Sequence, residues 1–149
     1  MTEEKIREYS LRISQCSRSE LVVITDEIVI SYVNDARTAF NLEKWEDFRF
    51  QLRKAGQFID ELSSSLDMRY EISYQLMSLY CYVRKCLIHA SIALTIEGLD
   101  EVIHIMEALK KAFSKVATQD KTGKVMENSQ KVYAGLTYGP GSKLNEIVL

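Results

Sequence analysis

Lys44–Asp67 reads KWEDFRFQLRKAGQFIDELSSSLD, and its spacing decides the fold. Trp45, Phe48, Leu52, Ala55, Ile59, Leu62 and Leu66 lie alternately three and four residues apart. That is the seam of a helix packed lengthwise against other helices. Glu46, Asp47, Arg49, Gln51, Arg53, Lys54, Gln57, Asp60 and Glu61 fill most of the other positions, which predicts one dry face and one wet face. A helix of this length, about 35 Å at about 1.5 Å per residue, cannot bury its seam alone. The rest of the chain must supply partners of similar length.

Such partners lie on both sides. On the C-terminal side, Ser73, Leu76, Tyr80, Val83, Leu87, Ala90 and Leu94 repeat the same spacing in a helix that starts around Met68 to Glu71. Ile72, Met77, Leu79, Tyr82, Cys86, Ile88 and Ile92 lie off that seam. A helix apolar on two sides is either central to a larger core or offers a surface to a partner. Thr95 to Asp100, with Gly98, reads as a break, with Thr95 or Asp100 as the N-cap. A further seam follows at Leu99, Val102, Met106, Leu109, Phe113 and Val116, and Lys110, Lys111 and Lys115 suit its C-terminal end.

On the N-terminal side, Ser17-Arg18-Ser19-Glu20 has the S-x-x-E form of a capping box and predicts a helix start. Val22, Val29, Ala36 and Phe40 share one side, and Leu21, Ile24 and Ile28 add a second patch. This helix is expected to end between Asn41 and Glu43, a short link that suits antiparallel neighbours. Ahead of it, Ile6, Tyr9 and Ile13 are spaced three and four apart. Residues 1–16 therefore read as a short amphipathic helix, an extended strap or a frayed terminus. From Thr118 the composition turns polar and then rich in glycine and tyrosine, so residues 118–149 are expected to be a tail rather than a fifth bundle helix. Its Tyr133, Leu136, Tyr138, Leu144, Ile147 and Leu149 are able to dock. The sequence thus predicts an all-α, antiparallel up-down four-helix bundle over 17–117, with a strap over 1–16 and a tail over 118–149.

The totals agree with one soluble domain. The chain has 149 residues, 46% of them hydrophobic and 27% charged, with one proline to break helices. A net charge of −2 and the absence of a Lys/Arg cluster point away from nucleic acid. The uncharged stretch Ile72–Val83 is too short and too polar to insert in a membrane. MTEEKIREYS lacks the apolar core of a signal peptide, so a cytoplasmic location is expected. Cys16, Cys81 and Cys86 are odd in number and lack C-x-x-C spacing, which argues against a disulfide framework or a zinc site.

No catalytic constellation emerges. A di-iron bundle needs two E-x-x-H pairs, and only Glu101 with His104 fits, since His89 has Cys86 three residues before it. There is no glycine-rich phosphate loop and no nucleophile elbow. No catalytic residue, metal ligand or cofactor is expected, and both histidines read as helix-surface residues.

Several ordered pieces resemble one family. Ala55-Gly56-Gln57-Phe58-Ile59-Asp60-Glu61-Leu62-Ser63-Ser64-Ser65-Leu66-Asp67 is similar to the A-Q-x-I-I-x-E-L-x-x-S-L-D stretch of the flagellar export chaperone of flagellin, the FliS family. Leu79-Tyr80-Cys81-Tyr82 resembles its L-Y-x-Y, with Leu87 and Ala90 continuing the pattern, and Leu109-Lys110-Lys111-Ala112-Phe113 resembles its L-R-x-A-W. Ser17 with Leu21 resembles the S-P-x-x-L helix start, and Tyr9 the tyrosine of the N-terminal strap. Ala134-Gly135-Leu136-Thr137-Tyr138-Gly139 resembles the tails of clostridial members. The chain departs from the pattern at Arg18 (a proline in the family), at Thr25-Asp26-Glu27-Ile28 (L-Y-D-G), at Arg84-Lys85-Cys86 (a tyrosine-arginine-arginine run) and at Ala90-Ser91 (A-N), as a divergent member or paralogue would.

The resemblance implies a non-catalytic chaperone that binds the disordered C-terminal segment of flagellin, blocks its premature polymerisation and aids its secretion. The export gate is a second implied partner. The alternative is an adaptor bundle that has kept the fold and binds another helical partner or itself, and the acids at Asp26 and Glu27, beside the expected groove, favour it. A client that folds as helices needs apolar grooves. Leu21, Ile24 and Ile28, with Ile72, Leu79, Tyr82 and Cys86, are the expected client-binding residues. Ile6, Tyr9 and Ile13 are the expected groove cover. Exposed apolar faces of this kind also suit a homodimer.

Overall fold

The structure is a computed structural model that describes residues 1–119 and 126–137, with side chains at 1–119 and 130–137. Six helices make up the described residues: α1 (Glu3–Gln15), α2 (Arg18–Asn41), α3 (Trp45–Ser64), α4 (Glu71–Ala93), α5 (Leu99–Ala117) and α6 (Met126–Thr137). The all-α class read from the seams holds.

Helices α2 to α5 form the body. α2 packs broadly on α3 and on α5, α3 packs on α4, and α4 meets α5 only loosely. The contacts join the end of one helix to the start of its neighbour. Phe40 of α2 packs on Trp45 and Phe48 of α3, and Tyr32 stacks on Phe58 further along both helices. Arg37 of α2 pairs with Asp100 of α5 at 2.8 Å. Arg84 of α4 pairs with Asp60 of α3 at 3.2 Å, and Arg49 Nε donates to the Ser91 carbonyl at 3.4 Å.

Local signals set the boundaries. The predicted capping box is present: Ser17 Oγ accepts from Glu20 N at 3.3 Å, and Ser17 N donates to the Glu20 carboxylate at 3.4 Å. The start of α5 differs from expectation. Its N-cap is Gly98, at φ 87, a left-handed conformation that glycine adopts without a Cβ penalty. Thr95 instead accepts the Glu97 N–H in the preceding turn, and Asp100 is in the first helical turn. Leu94, read as the last seam residue of α4, is its left-handed C-cap at φ 49.

The core follows the predicted seams closely in α3 and α4. Phe48, Leu52, Ala55, Ile59 and Leu62 are buried, as are Ser73, Leu76, Tyr80, Val83, Leu87 and Ala90. The most enclosed helix is α2, because α1, α3 and α5 all pack on it. Its run Ile28–Val33 is buried without a break. Val116, at the end of the predicted α5 seam, is exposed, so that seam closes before its last turn.

Outside the body lies a second layer of two helices. α1 folds back along α2, placing the Met1 amino group 2.8 Å from Asp35 and pairing Arg12 with Glu27. The 1–16 segment is thus a helix, capped by Thr2 Oγ1 on Lys5 N. α6 lies on α3 and against α1. This helix falls in the segment expected to be a tail with residues able to dock. Leu136, named among the residues able to dock, is buried, as is Val132 four residues before it. Tyr138, Leu144, Ile147 and Leu149, expected to be adhesive, lie outside the described residues.

Candidate functional site

Two kinds of surface are candidates: clefts at one end of the body, and the outer side of α4. The first turns of α2 separate two clefts. One, of about 370 Å³, opens where Leu21, Val22 and Thr25 of α2 face Leu62, Leu76, Tyr80, Phe113 and Val132. The other, of about 500 Å³, is lined by Arg12 and Gln15 of α1, Val23 and Ile24 of α2, and Ser114 and Ala117 of α5. They exist because α5 stops sealing the core near Phe113, which is only half-buried.

The structure separates the seven expected client-binding residues. Leu21 and Ile24 are buried side chains that line different clefts, and Ile28 is sealed in the core. Ile72, Leu79 and Tyr82 sit on the surface of α4, 57%, 36% and 42% exposed, with Cys86 half-buried beside the core. Neither of the two clefts is lined by Ile72, Leu79, Tyr82 or Cys86. Periodicity identified both patches but could not tell which one a neighbouring helix covers.

The α4 surface is wider than the sequence-derived set. Tyr74, Ile88 and Ile92 are exposed as well, Ile92 by 77%, and Cys81 is an exposed free thiol. Tyr74, Cys81, Ile88 and Ile92 recur at helical spacing on the side of α4 away from the core. Tyr82 is anchored at its tip, its hydroxyl donating to the Glu101 carboxylate at 2.7 Å. That bond, with one to Cys86, pushes the phenol up to about 12.

The expected cover residues lie on α1. Ile13 is buried, and Ile6 and Tyr9 are half-buried against the core. Burial, followed by the nearby Glu27 charge, raises the Tyr9 phenol above its usual range. The Arg12 guanidinium sits 5.7 Å from the Tyr9 ring centre while pairing with Glu27, so one arginine links the α1 aromatic to α2.

The two acids expected beside a groove are not on one. Asp26 is fully buried, on the same side of α2 as Val29 and Val33, and neither of its oxygens has a hydrogen-bond partner among the described residues. Burial and the Glu27 charge push its carboxyl up to about 8. Glu27 is engaged by Arg12.

Beneath α6 lies a feature that the sequence did not announce. Lys54, read as part of a wet face, is 3% exposed, and Gln51 and Phe58 on the same side of α3 are buried too. Lys54 Nζ donates to the Gly135 carbonyl of α6 at 2.5 Å, and it lies 6.0 Å from the Tyr32 ring centre and 5.9 Å from that of Phe58. Desolvation lowers its pKa.

Among the described residues no group of three or more His, Cys, Asp or Glu side chains is placed to hold a metal ion. His89 and His104 are exposed on α4 and α5. No helix among them is long and apolar enough to cross a membrane. The described surface thus combines exposed apolar side chains on α4 with open clefts beside α2, and α1 and α6 lie outside the body. No curated protein sequence matches the chain. The family model described as flagellar protein FliS matches residues 4–120, from the first turn of α1 to just past α5, and the chain belongs to that family.

Proposed function

We propose that this chain, a flagellar export chaperone by family, binds the disordered C-terminal segment of flagellin in the cytoplasm and holds it as helices. It acts without catalysis, keeps flagellin from polymerising early and delivers it to the export gate. The observation that carries this reading is the apolar surface of α4, where Ile72, Tyr74, Leu79, Tyr82, Ile88 and Ile92 are all exposed among the described residues. A monomer rarely leaves so many large apolar side chains on one helix without a partner for them. An unfolded amphipathic segment is suited to such a surface, because it buries its own apolar face as it folds there.

The clefts beside α2 extend the surface. Leu21 and Ile24 form their walls, so a client wrapping the body could seat further side chains there. The adaptor reading drew on acids beside a client groove. Asp26 is inside the core and Glu27 is paired, so neither repels an acidic client from an open groove.

The test is calorimetric titration of the purified chain with the C-terminal segment of flagellin. One-to-one binding below about 1 μM with a negative heat-capacity change is expected, as for an apolar segment that folds on docking. Ile72→Asp with Leu79→Asp, both on exposed positions, should weaken it about tenfold or more, roughly 1.4 kcal/mol, and leave the melting temperature unchanged. Absence of binding would return the adaptor reading, and sedimentation of the same sample would show whether the α4 surface instead joins two copies.

A further inference from the structure

The seat of α6 is built like a recognition site for the end of a helix. Gly135 lies among the last four residues of α6, whose carbonyls have no partner within the helix. Lys54 supplies one, and its positive charge faces the negative end of the helix dipole. Gly135 faces the Phe58 ring. A Cβ there would stand 3.4 Å from Phe58 Cζ, an ordinary van der Waals contact, so glycine or alanine fits at this point of the seat. Val132 and Leu136 fill the apolar part. Tyr32, stacked on Phe58 at 5.8 Å, and Lys54 form the wall on the α2 and α3 side, and α1 forms the other.

The helix in this seat depends on the seat for its order. α6 has 12 residues, too few to be stable as an isolated helix. Two buried side chains, Val132 and Leu136, and the Lys54 hydrogen bond are among its anchors. Lys54, in turn, loses solvation for the sake of that bond. A helix of higher intrinsic stability with the same pattern would suit the same seat.

We infer that the groove walled by Tyr32, Lys54 and Phe58 is a helix-binding site that α6 fills in cis and yields to a client helix carrying an apolar residue, then a small residue three positions on, then a second apolar residue, with its C-terminal carbonyls on Lys54. The client is the flagellin C-terminal segment, and this identity rests on the chaperone reading; the site itself does not. Occupation in cis keeps an aromatic groove with a buried ammonium out of water until a client arrives, and it subtracts the cost of displacing α6 from client affinity.

The test uses the full chain with Val132→Asp and Leu136→Asp, which undock α6 and leave α2 to α5 untouched. Gly135→Leu, which directs a bulky side chain at the Phe58 ring, is a second undocking variant. The probe is a fluorescent peptide of the sequence Met126–Thr137. Both variants should bind it about tenfold or more tightly than the native chain, Lys54→Met in either background should abolish most of that gain, and flagellin segment should displace the peptide. Failure of both undocked variants to bind the peptide, or indifference to Lys54→Met, overturns the site. Flagellin segment that binds but leaves the peptide in place overturns the client assignment and leaves the chaperone reading standing. Flagellin segment that binds no form of the chain overturns the chaperone reading and the client assignment together, and the peptide measurements still decide the site.

Discussion

Arg84 of α4 lies directly across Gly56 of α3: a Cβ built on Gly56 would sit 1.8 Å from Arg84 Nη1 and 2.9 Å from its Cζ. The guanidinium crosses the glycine to reach Asp60 one turn on. Gly56 is mid-helix and buried, where glycine costs up to about 1 kcal/mol relative to alanine. Its replacement displaces the far end of a flexible side chain, not backbone. The Arg84–Asp60 pair is half-exposed and worth at most about 1 kcal/mol. The two effects nearly cancel. Gly56→Ala should therefore change unfolding free energy by less than about 1 kcal/mol, measured by urea denaturation. A loss of several kcal/mol would mean that Arg84 has nowhere else to go.

Asp26 predicts a pH dependence opposite to that of most carboxylates. Its folded pKa of about 8 is above the ordinary 3.8. The folded state therefore keeps a proton that the unfolded chain has lost, and stability falls as pH rises through this window. The groups acting on it are Glu27 on α2, Lys110 on α5 and Tyr80 on α4, and burial outweighs the Lys110 attraction. Each pH unit in the window costs up to about 1.4 kcal/mol. Asp26→Asn should be more stable than the native chain by about 2 kcal/mol or more at pH 8.5 and nearly equal to it at pH 4.5. Denaturation curves at the two pH values decide this, and an equal difference at both would show that the carboxyl does not titrate on its own.

Glu43, in the three-residue link from α2 to α3, adopts φ 57 although it is not glycine. Its side chain is exposed, so nothing is lost by removing it. Its N–H still donates to the Phe40 carbonyl, and that bond survives substitution. Glu43→Gly should stabilise the protein by roughly 0.5–1 kcal/mol by relieving left-handed strain. A melting temperature that falls would refute it.

The seams were legible in the sequence because each has a partner of equal length. Leu52, Ile59 and Leu62 on α3, and Leu76, Val83 and Leu87 on α4, alternate without a miss and are buried together. The apolar surplus on α4 was legible as well, since no described element covers it. The α6 seat was not. Lys54 and Gln51 are polar residues made dry by a helix whose own sequence, with Gly135 and few apolar side chains, carries a weak period. Asp26 was unreadable for a related reason. A carboxyl beside a glutamate suggests solvent, and only the packing of α2 within α1, α3 and α5 makes the site dry. Pattern reports which face is apolar, while burial of a polar face depends on which element comes to lie on it.

The cover role proposed for α1 gives the last expectation. Ile13 is buried and Tyr9 half-buried, whereas Leu11 on the outer side of the same helix is exposed. Tyr9→Lys with Ile13→Lys should release α1, because two ammonium groups would otherwise enter an apolar contact. The body has its own core and should remain folded, with α2 still capped by Ser17. If α1 competes with the client, flagellin affinity rises about tenfold, by the share of chains in which the cover was closed, and self-association rises with it as apolar surface opens. Leu11→Lys is the control and should change neither. Calorimetry and sedimentation of the three proteins separate the outcomes, and unchanged affinity in the double variant would make α1 a structural brace on α2 and not a cover.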